Sequence, residues 1–172
     1  MQTIELQAAD GAVVAARLFA AATPMPQATV LIAGAMGVKQ DFYADFAAWL
    51  ARQGYTAMTF DYRGMGTSRP PEMRHSLRGF DADLFDWASD IDAAIEHLTL
   101  AAPSAPLYVV GHSLGAQLPG MLKHRDRIGG LVSVAAGSGY WRDNAPPLKR
   151  MVLYFWHVLV PLATWAWGYF PG

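Results

Sequence analysis

The chain has 172 residues, enough to bury one sizeable core, and its 53% hydrophobic and 16% charged content is that of a globular protein. A formal net charge of −1, with no run of Lys or Arg, excludes an electrostatic footprint for nucleic acid. The absence of cysteine excludes disulfides, thiolate zinc sites and a cysteine nucleophile. Nothing in the sequence asks for a cofactor or a metal.

Met1 to Leu6 carries Glu5 where a signal peptide carries basic residues, and no apolar core follows, so the expected location is cytoplasmic. Thr3 to Leu6 and Val13 to Phe19 flank Asp10-Gly11, a dipeptide that favours a tight turn, and predict two antiparallel strands. A proline-bearing loop, Thr23 to Gln27, leads to a strand over Ala28 to Ala33. Asp41 is positioned to cap the next helix, whose apolar residues Phe42, Phe46, Trp49 and Leu50 are expected to face the sheet, with Gly54 as terminator. Tyr55 to Phe60 reads as a buried strand running into the glycine-rich turn Asp61 to Ser68, where Asp61 and Arg63 read as an opposite-charge pair that fixes loops. The longest helix is predicted over Asp81 to Leu100, with Leu84, Trp87, Ala88, Ile91, Ile95 and Leu98 on one face. Asp81, Asp83 and Asp86 read as a solvated face that complements its dipole.

Gly111-His112-Ser113-Leu114-Gly115 follows the β-prone run Leu107 to Val110 and precedes a helix-like stretch from Ala116 to Lys123. In that context G-x-S-x-G makes a sharp turn that presents the serine, so Ser113 is the candidate nucleophile. The turn strains the backbone, and the positions two before and two after the serine must lack bulk, which Gly111 and Gly115 provide. Pro119 should kink the following helix. Leu131 to Ala135 reads as a sixth strand. From Met151 to Gly172 there is no Asp, Glu, Lys or Arg, yet Pro161 interrupts the apolar run and Gly168 and Pro171 end it, which argues against a membrane span.

The segment Leu31 to Gly37, the D-x-R-G-x-G-x-S turn at 61–68 and the G-x-S-x-G turn at 111–115 occur in the order seen in α/β-hydrolases. The sequence resembles that family from Val30 to about Ala136. Around Gly34 to Gly37, Arg78-Gly79-Phe80 and Gly137 to Trp141 it is similar to a bacterial subgroup of predicted hydrolases. Ala33 departs from the histidine that many members carry before the glycine, which a backbone donor does not need. The resemblance implies an α/β-hydrolase-type doubly wound, mostly parallel sheet of about six strands, here lacking the C-terminal strands seven and eight. It divides the chain into a core over 1–145 and an apolar, lid-like segment over 146–172. It also implies two backbone donors for a developing oxyanion: Leu114, after the nucleophile, and a residue of the loop after the third strand, Ala35 as first choice and Met36 as second.

The family order is serine, acid, histidine, with the acid after the seventh strand and the histidine after the eighth. The sequence given ends 59 residues after Ser113 with no segment that reads as either strand. It therefore reads as an N-terminal portion of a longer hydrolase, or a shortened relative. Among the five histidines, His112 adjoins the nucleophile and reads as packing, His75 and His97 as surface residues, and His124 as the end of the elbow helix. Only His157, with Asp143 before it, keeps the family order, as a less favoured compact triad. Two functions follow. One is a serine hydrolase of ester-type bonds, or of amides or thioesters, acting through an acyl-enzyme on a small-molecule substrate with a hydrophobic acyl group; a serine rather than an aspartate in the elbow disfavours dehalogenase and epoxide-hydrolase chemistry. The other is a non-catalytic module that uses its apolar C-terminal segment for a partner or, less favoured, for membrane contact through 151–172. Self-association of the short chain is expected from an uncovered sixth strand and the apolar segment.

Overall fold

The computed structural model describes residues 1–168, which form two compact units, Met1–Arg69 with Ala82–Ala136, and Pro70–Asp81 with the described residues from Gly137 onward. In the first unit, β1 (Gln2–Gln7) and β2 (Val13–Phe19) form the hairpin that Asp10-Gly11 predicts, with Gly11 at a φ of 87°. β3 (Thr29–Ala33), β4 (Thr56–Phe60), β5 (Leu107–His112) and β6 (Ile128–Val134) complete one sheet in the order β1-β2-β4-β3-β5-β6. β2 runs antiparallel to β4, and the pairs β3/β4, β3/β5 and β5/β6 are parallel. A mostly parallel sheet of six strands is therefore present, with β6 at its edge.

Every residue of β3 is buried, because helices cover both faces of a parallel sheet. On one face Leu31, Met58 and Val109 pack with Ile91, Ile95 and Leu98 of α2 (Leu84–Ala101). On the other, Val30, Ile32 and Ala57 pack with Tyr43 and with Ala47 and Leu50 of α1 (Ala44–Arg52). α2 begins at Leu84 rather than Asp81: Asp83 accepts from the N–H groups of Phe85 and Asp86, and the Asp86 carboxylate accepts the Asp83 N–H in return. Asp86 is thus a capping residue, not part of a merely solvated face.

The preceding helix buries Leu50 as expected, but not Phe42, Phe46 and Trp49. A 3-10 turn over Gln40–Tyr43 enters α1 and shifts the helical phase, so Tyr43, Ala47 and Leu50 face the sheet while Phe42, Phe46 and Trp49 are 72%, 41% and 48% exposed. Ala47 lets the helix approach the sheet closely. Asp41 does not cap the helix; it pairs with Arg17 on β2.

The helix expected over Ala116 to Lys123 is one α turn, α3 (Leu114–Gln117), followed by a 3-10 turn over Leu118–Met121. Pro119 cannot donate to an α-helical ladder, which ends it there. His124 lies beyond, and its Nδ1 is 3.2 Å from the Asp92 carboxylate.

In the second unit, α4 (Pro146–Tyr154), a π-helical stretch Phe155–Leu159 and α5 (Val160–Trp167) follow one another without a break. Pro161 interrupts the hydrogen-bond ladder without ending the helix: it sits in the first turn of α5, and the wider π turn before it accommodates the missing N–H. Gly168 ends α5 with a φ of 81°. Pro171 lies outside the described residues. No helix among them is long and apolar enough to cross a membrane.

Candidate active site

Ser113 joins the end of β5 to the start of α3 with a φ of 51° and a ψ of −109°. This is a conformation that costs a non-glycine residue on the order of 1–3 kcal/mol and persists only where the surroundings enforce it. Here they do. A side chain at Gly115 would fall on the Ala33 carbonyl oxygen, and one at Gly111 would come within 2.6 Å of Ala116 Cα. The two glycines thus bring β3, β5 and α3 together around the serine, and the Ser113 N–H donates to Val134 O at the end of β6 (2.9 Å). Ser113 is half-buried and Leu114, behind it, is buried.

The loop after β3 is held by four hydrogen bonds to Gly34, Ala35 and Gly37. The Tyr62 hydroxyl donates to Gly34 O (3.3 Å), the Ala35 N–H donates to the Tyr43 hydroxyl (2.9 Å) and the Gly37 N–H to Met65 Sδ (3.4 Å). The Val38 N–H donates to Ala35 O (3.2 Å). Met36 N–H and Leu114 N–H make no internal hydrogen bond among the described residues. Ala35 is buried, with its N–H taken by a buried hydroxyl, whereas Met36 is 56% exposed. Of the two loop residues singled out in the sequence, Met36 is the one whose donor is open.

The D-x-R-G-x-G-x-S turn anchors this loop. Asp61, buried, accepts the Gln40 N–H (2.8 Å), Gln40 Nε2 (3.1 Å), Thr67 N–H (2.8 Å) and Thr67 Oγ1 (2.7 Å), while Ser68 Oγ donates to Asp61 O (2.6 Å). A side chain at Gly66 would collide with that carboxylate. Asp61 and Arg63 are not a pair, because the turn points them to different elements. Arg63 forks onto Asp90 on α2 (2.9 and 2.7 Å) and also contacts Asp10 and Asp86. Burial pushes the Asp90 carboxyl up from its usual range against the pull of Arg63. The Arg63 hydrogen bond holds Asp10 below its usual range. Asp90 carried no signal in the sequence beyond its place among the apolar positions of α2.

His112 is turned to the loop. Its Nδ1 is 2.9 Å from the Tyr43 hydroxyl, and the two rings meet edge to face. Asp143 and His157 belong to the second unit. There the Asp143 carboxylate accepts from Ser138 Oγ, and His157 is exposed within the π-helical stretch. Ser113, Leu114, Ala35 and Met36 all lie in the first unit, where β3, which leads to Ala35 and Met36, pairs with β5, which leads to Ser113. The cavities of about 110 and 350 Å³ along α2, the first lined by His124 and Arg127 and the second by Asp86 and Lys123, include none of these four.

The sequence matches the family described as Serine aminopeptidase, S33, over residues 24–167. The chain belongs to this family of α/β-hydrolases. No curated protein matches it. A thermostable carboxyl esterase from Bacillus coagulans superposes with a TM-score of 0.70 at 18% identity, over 88% of this chain and 50% of the esterase. A soluble variant of the Saccharomyces cerevisiae monoglyceride lipase gives 0.67 at 22% identity, over 96% of this chain and 54% of the lipase. An α/β serine hydrolase without a lid from Xanthomonas campestris gives 0.63 at 18% identity, over 81% and 63%. This α/β-hydrolase chain thus spans 50% to 63% of the length of these three structures.

Proposed function

We propose that the protein is a serine hydrolase of ester-type bonds, with amides and thioesters open to the same chemistry, and that Ser113 is its nucleophile. The observation that carries the reading is the strained Ser113 backbone at the end of a central strand, followed by the unpaired Leu114 N–H, with the Met36 N–H also unpaired in the loop after the neighbouring strand β3. A plain strand-to-helix loop has no reason to keep such strain, and this gives the hydrolase reading precedence over a non-catalytic module.

In the reaction, Ser113 Oγ attacks the acyl carbonyl carbon as its proton passes to a general base. The carbonyl π electrons move to oxygen, and the resulting oxyanion is stabilised by Leu114 and Met36 N–H groups. Collapse expels the leaving alcohol, which takes the proton from the base and leaves an acyl-Ser113 ester. Water repeats the sequence and releases the acid. An apolar acyl group suits the esterase and lipase likeness. In the first unit, His112 is engaged with Tyr43 and His124 with Asp92. His157, after Asp143, keeps the family order in the sequence, and the alternative is a histidine outside the sequence given.

A fluorophosphonate probe tests the reading. In protein expressed from its full reading frame it should label Ser113, and labelling should vanish in Ser113→Ala. Labelling elsewhere, or none, overturns the assignment. Loss of labelling in His157→Ala with Ser113 intact assigns the base to the compact triad, and retention assigns it elsewhere.

A further inference from the structure

The Tyr43 side chain touches both the loop after β3, at Ala35, and the residue before the nucleophile, His112. It lies at the end of the 3-10 turn that Asp61 holds through Gln40, and it is 8% exposed. Its ring packs against Gly34 so closely that a side chain there would meet Tyr43 Cε2 at 2.9 Å. Its hydroxyl accepts the Ala35 N–H and meets His112 Nδ1, each at 2.9 Å. Burial raises the Tyr43 phenol above its usual range, against the Ala35 N–H, so the hydroxyl keeps its proton at neutral pH, and it can bond His112 Nδ1 in either imidazole tautomer because a hydroxyl both donates and accepts. Ala35 is fixed on both sides of its Cα: its N–H is held by Tyr43 and its C=O by the Val38 N–H. Because a trans peptide is planar, fixing Ala35 C=O fixes the Met36 N–H in the opposite direction. No side chain but Tyr43 holds the Ala35 N–H, and His112 adjoins the nucleophile.

Resting on the hydrolase reading, we propose that Tyr43 is a positioning residue: its hydroxyl occupies the Ala35 N–H so that Met36, not Ala35, supplies the second oxyanion donor, and through His112 it ties that loop to the elbow. It touches no substrate. It acts on the transition state alone, since the charge it prepares for appears only there.

The test uses hydrolysis of a p-nitrophenyl ester by the full-length protein. Losing an oxyanion donor outright costs about 100-fold to 1000-fold in kcat, so loosening one should cost less, roughly 10-fold to 100-fold in Tyr43→Phe with KM within twofold. The affinity for an alkyl boronic acid, which mimics the tetrahedral state, should fall by the same factor. His112→Ala should lose less, and the double variant should be no slower than Tyr43→Phe, because both act through one hydroxyl. Unchanged kcat in Tyr43→Phe, a rise confined to KM, or additive losses would overturn the role. Amide hydrogen exchange in the unmodified protein supplies a readout independent of turnover: Ala35 should be protected and Met36 not, and the reverse pattern overturns the proposal even where Tyr43→Phe fails to fold. If Ser113→Ala keeps full turnover, the hydrolase reading itself falls and takes the positioning role with it. If Ser113→Ala is inactive while Tyr43→Phe is fully active, only the positioning role falls.

Discussion

In the first unit Leu31, Met58, Ile91, Ile95 and Leu98 are sealed from solvent, whereas in the second Trp156, Trp165 and Trp167 are 53%, 85% and 57% exposed. The polar groups differ in the same way. Asp61 and Asp90 are buried and saturated with hydrogen bonds in the first unit, while Asp143 of the second is held by Ser138 at the surface. A close-packed, fully bonded setting can hold a residue in a conformation it would leave if free. That is the setting of Ser113, and it lies in the unit whose apolar residues are buried. The second unit offers no comparable constraint on Asp143 or His157. Geometry that catalysis could use has been built on one side of this division.

The sharpest way to break that contrast is at Gly115. A methyl group there lands on the Ala33 carbonyl, which is backbone of a fully buried strand and cannot step aside. Gly115→Ala should cost about 4 kcal/mol or more, at the exceptional end for one substitution. Denaturant unfolding measures it. A loss below 1 kcal/mol would mean that β3 and α3 are not packed as tightly as described.

Asp90→Asn comes next. It removes a buried carboxylate from the Arg63 fork and leaves the guanidinium with the more exposed Asp10 and Asp86. Breaking a buried pair from one side costs about 3 kcal/mol or somewhat more. Burial already raises the Asp90 carboxyl, so part of its charge is held against its preference, which points to the lower end. Unfolding of the variant that matches the unmodified protein would show that Arg63 is served by Asp10 and Asp86 alone.

Ser113→Gly reads the stored strain directly and with opposite sign. Glycine adopts a φ of 51° at little cost, so the variant should be more stable by roughly 1 kcal/mol, while Ser113→Ala gains nothing comparable. A destabilised Ser113→Gly would remove strain from the account of the site.

What could be read from the sequence follows the range of the interactions. Gly111, Ser113 and Gly115 lie within five residues, and their meaning is a local steric demand that spacing alone discloses. The hairpin at Asp10-Gly11 and the strand order of an α/β sheet are similarly local or generic. Tyr43 reaches His112 across 69 residues of sequence, and Arg63 reaches Asp90 across 27. No pattern along the chain announces either. Along α1 the sequence discloses Leu50 as a core residue but not Tyr43 and Ala47, because the larger Phe42, Phe46 and Trp49 stand out instead and a 3-10 entry turn precedes the helix. The place of Ala47 against the sheet was available as a clue, since small residues mark close helix approaches. Position along the loop ranks Ala35 before Met36 as a donor, but it does not disclose that the Ala35 N–H is bonded to Tyr43.

The smallest effect on folding is expected in the second unit. Trp165 is the most exposed large apolar side chain in the chain's described residues, and it adds little to any core. Trp165→Gln should therefore change unfolding free energy by no more than about 0.5 kcal/mol, against about 2–5 kcal/mol for Leu98→Ala inside the first unit. The same substitution should act elsewhere. Exposed apolar side chains run along α4 and α5, from Met151 through Trp156 to Trp167, and β6 presents an edge with Leu131, Val132 and Val134 each more than 40% exposed. Surfaces of this kind recruit other chains, so the 172-residue chain is expected to self-associate in water and to bind a hydrophobic dye. Trp165→Gln should lower dye fluorescence and shift sedimentation toward the monomer while leaving the unfolding curve in place. A monomer that binds no dye would show instead that both surfaces are covered in solution, and a large loss of folding stability in Trp165→Gln would show that this side chain belongs to a core, which would erase the contrast between the two units.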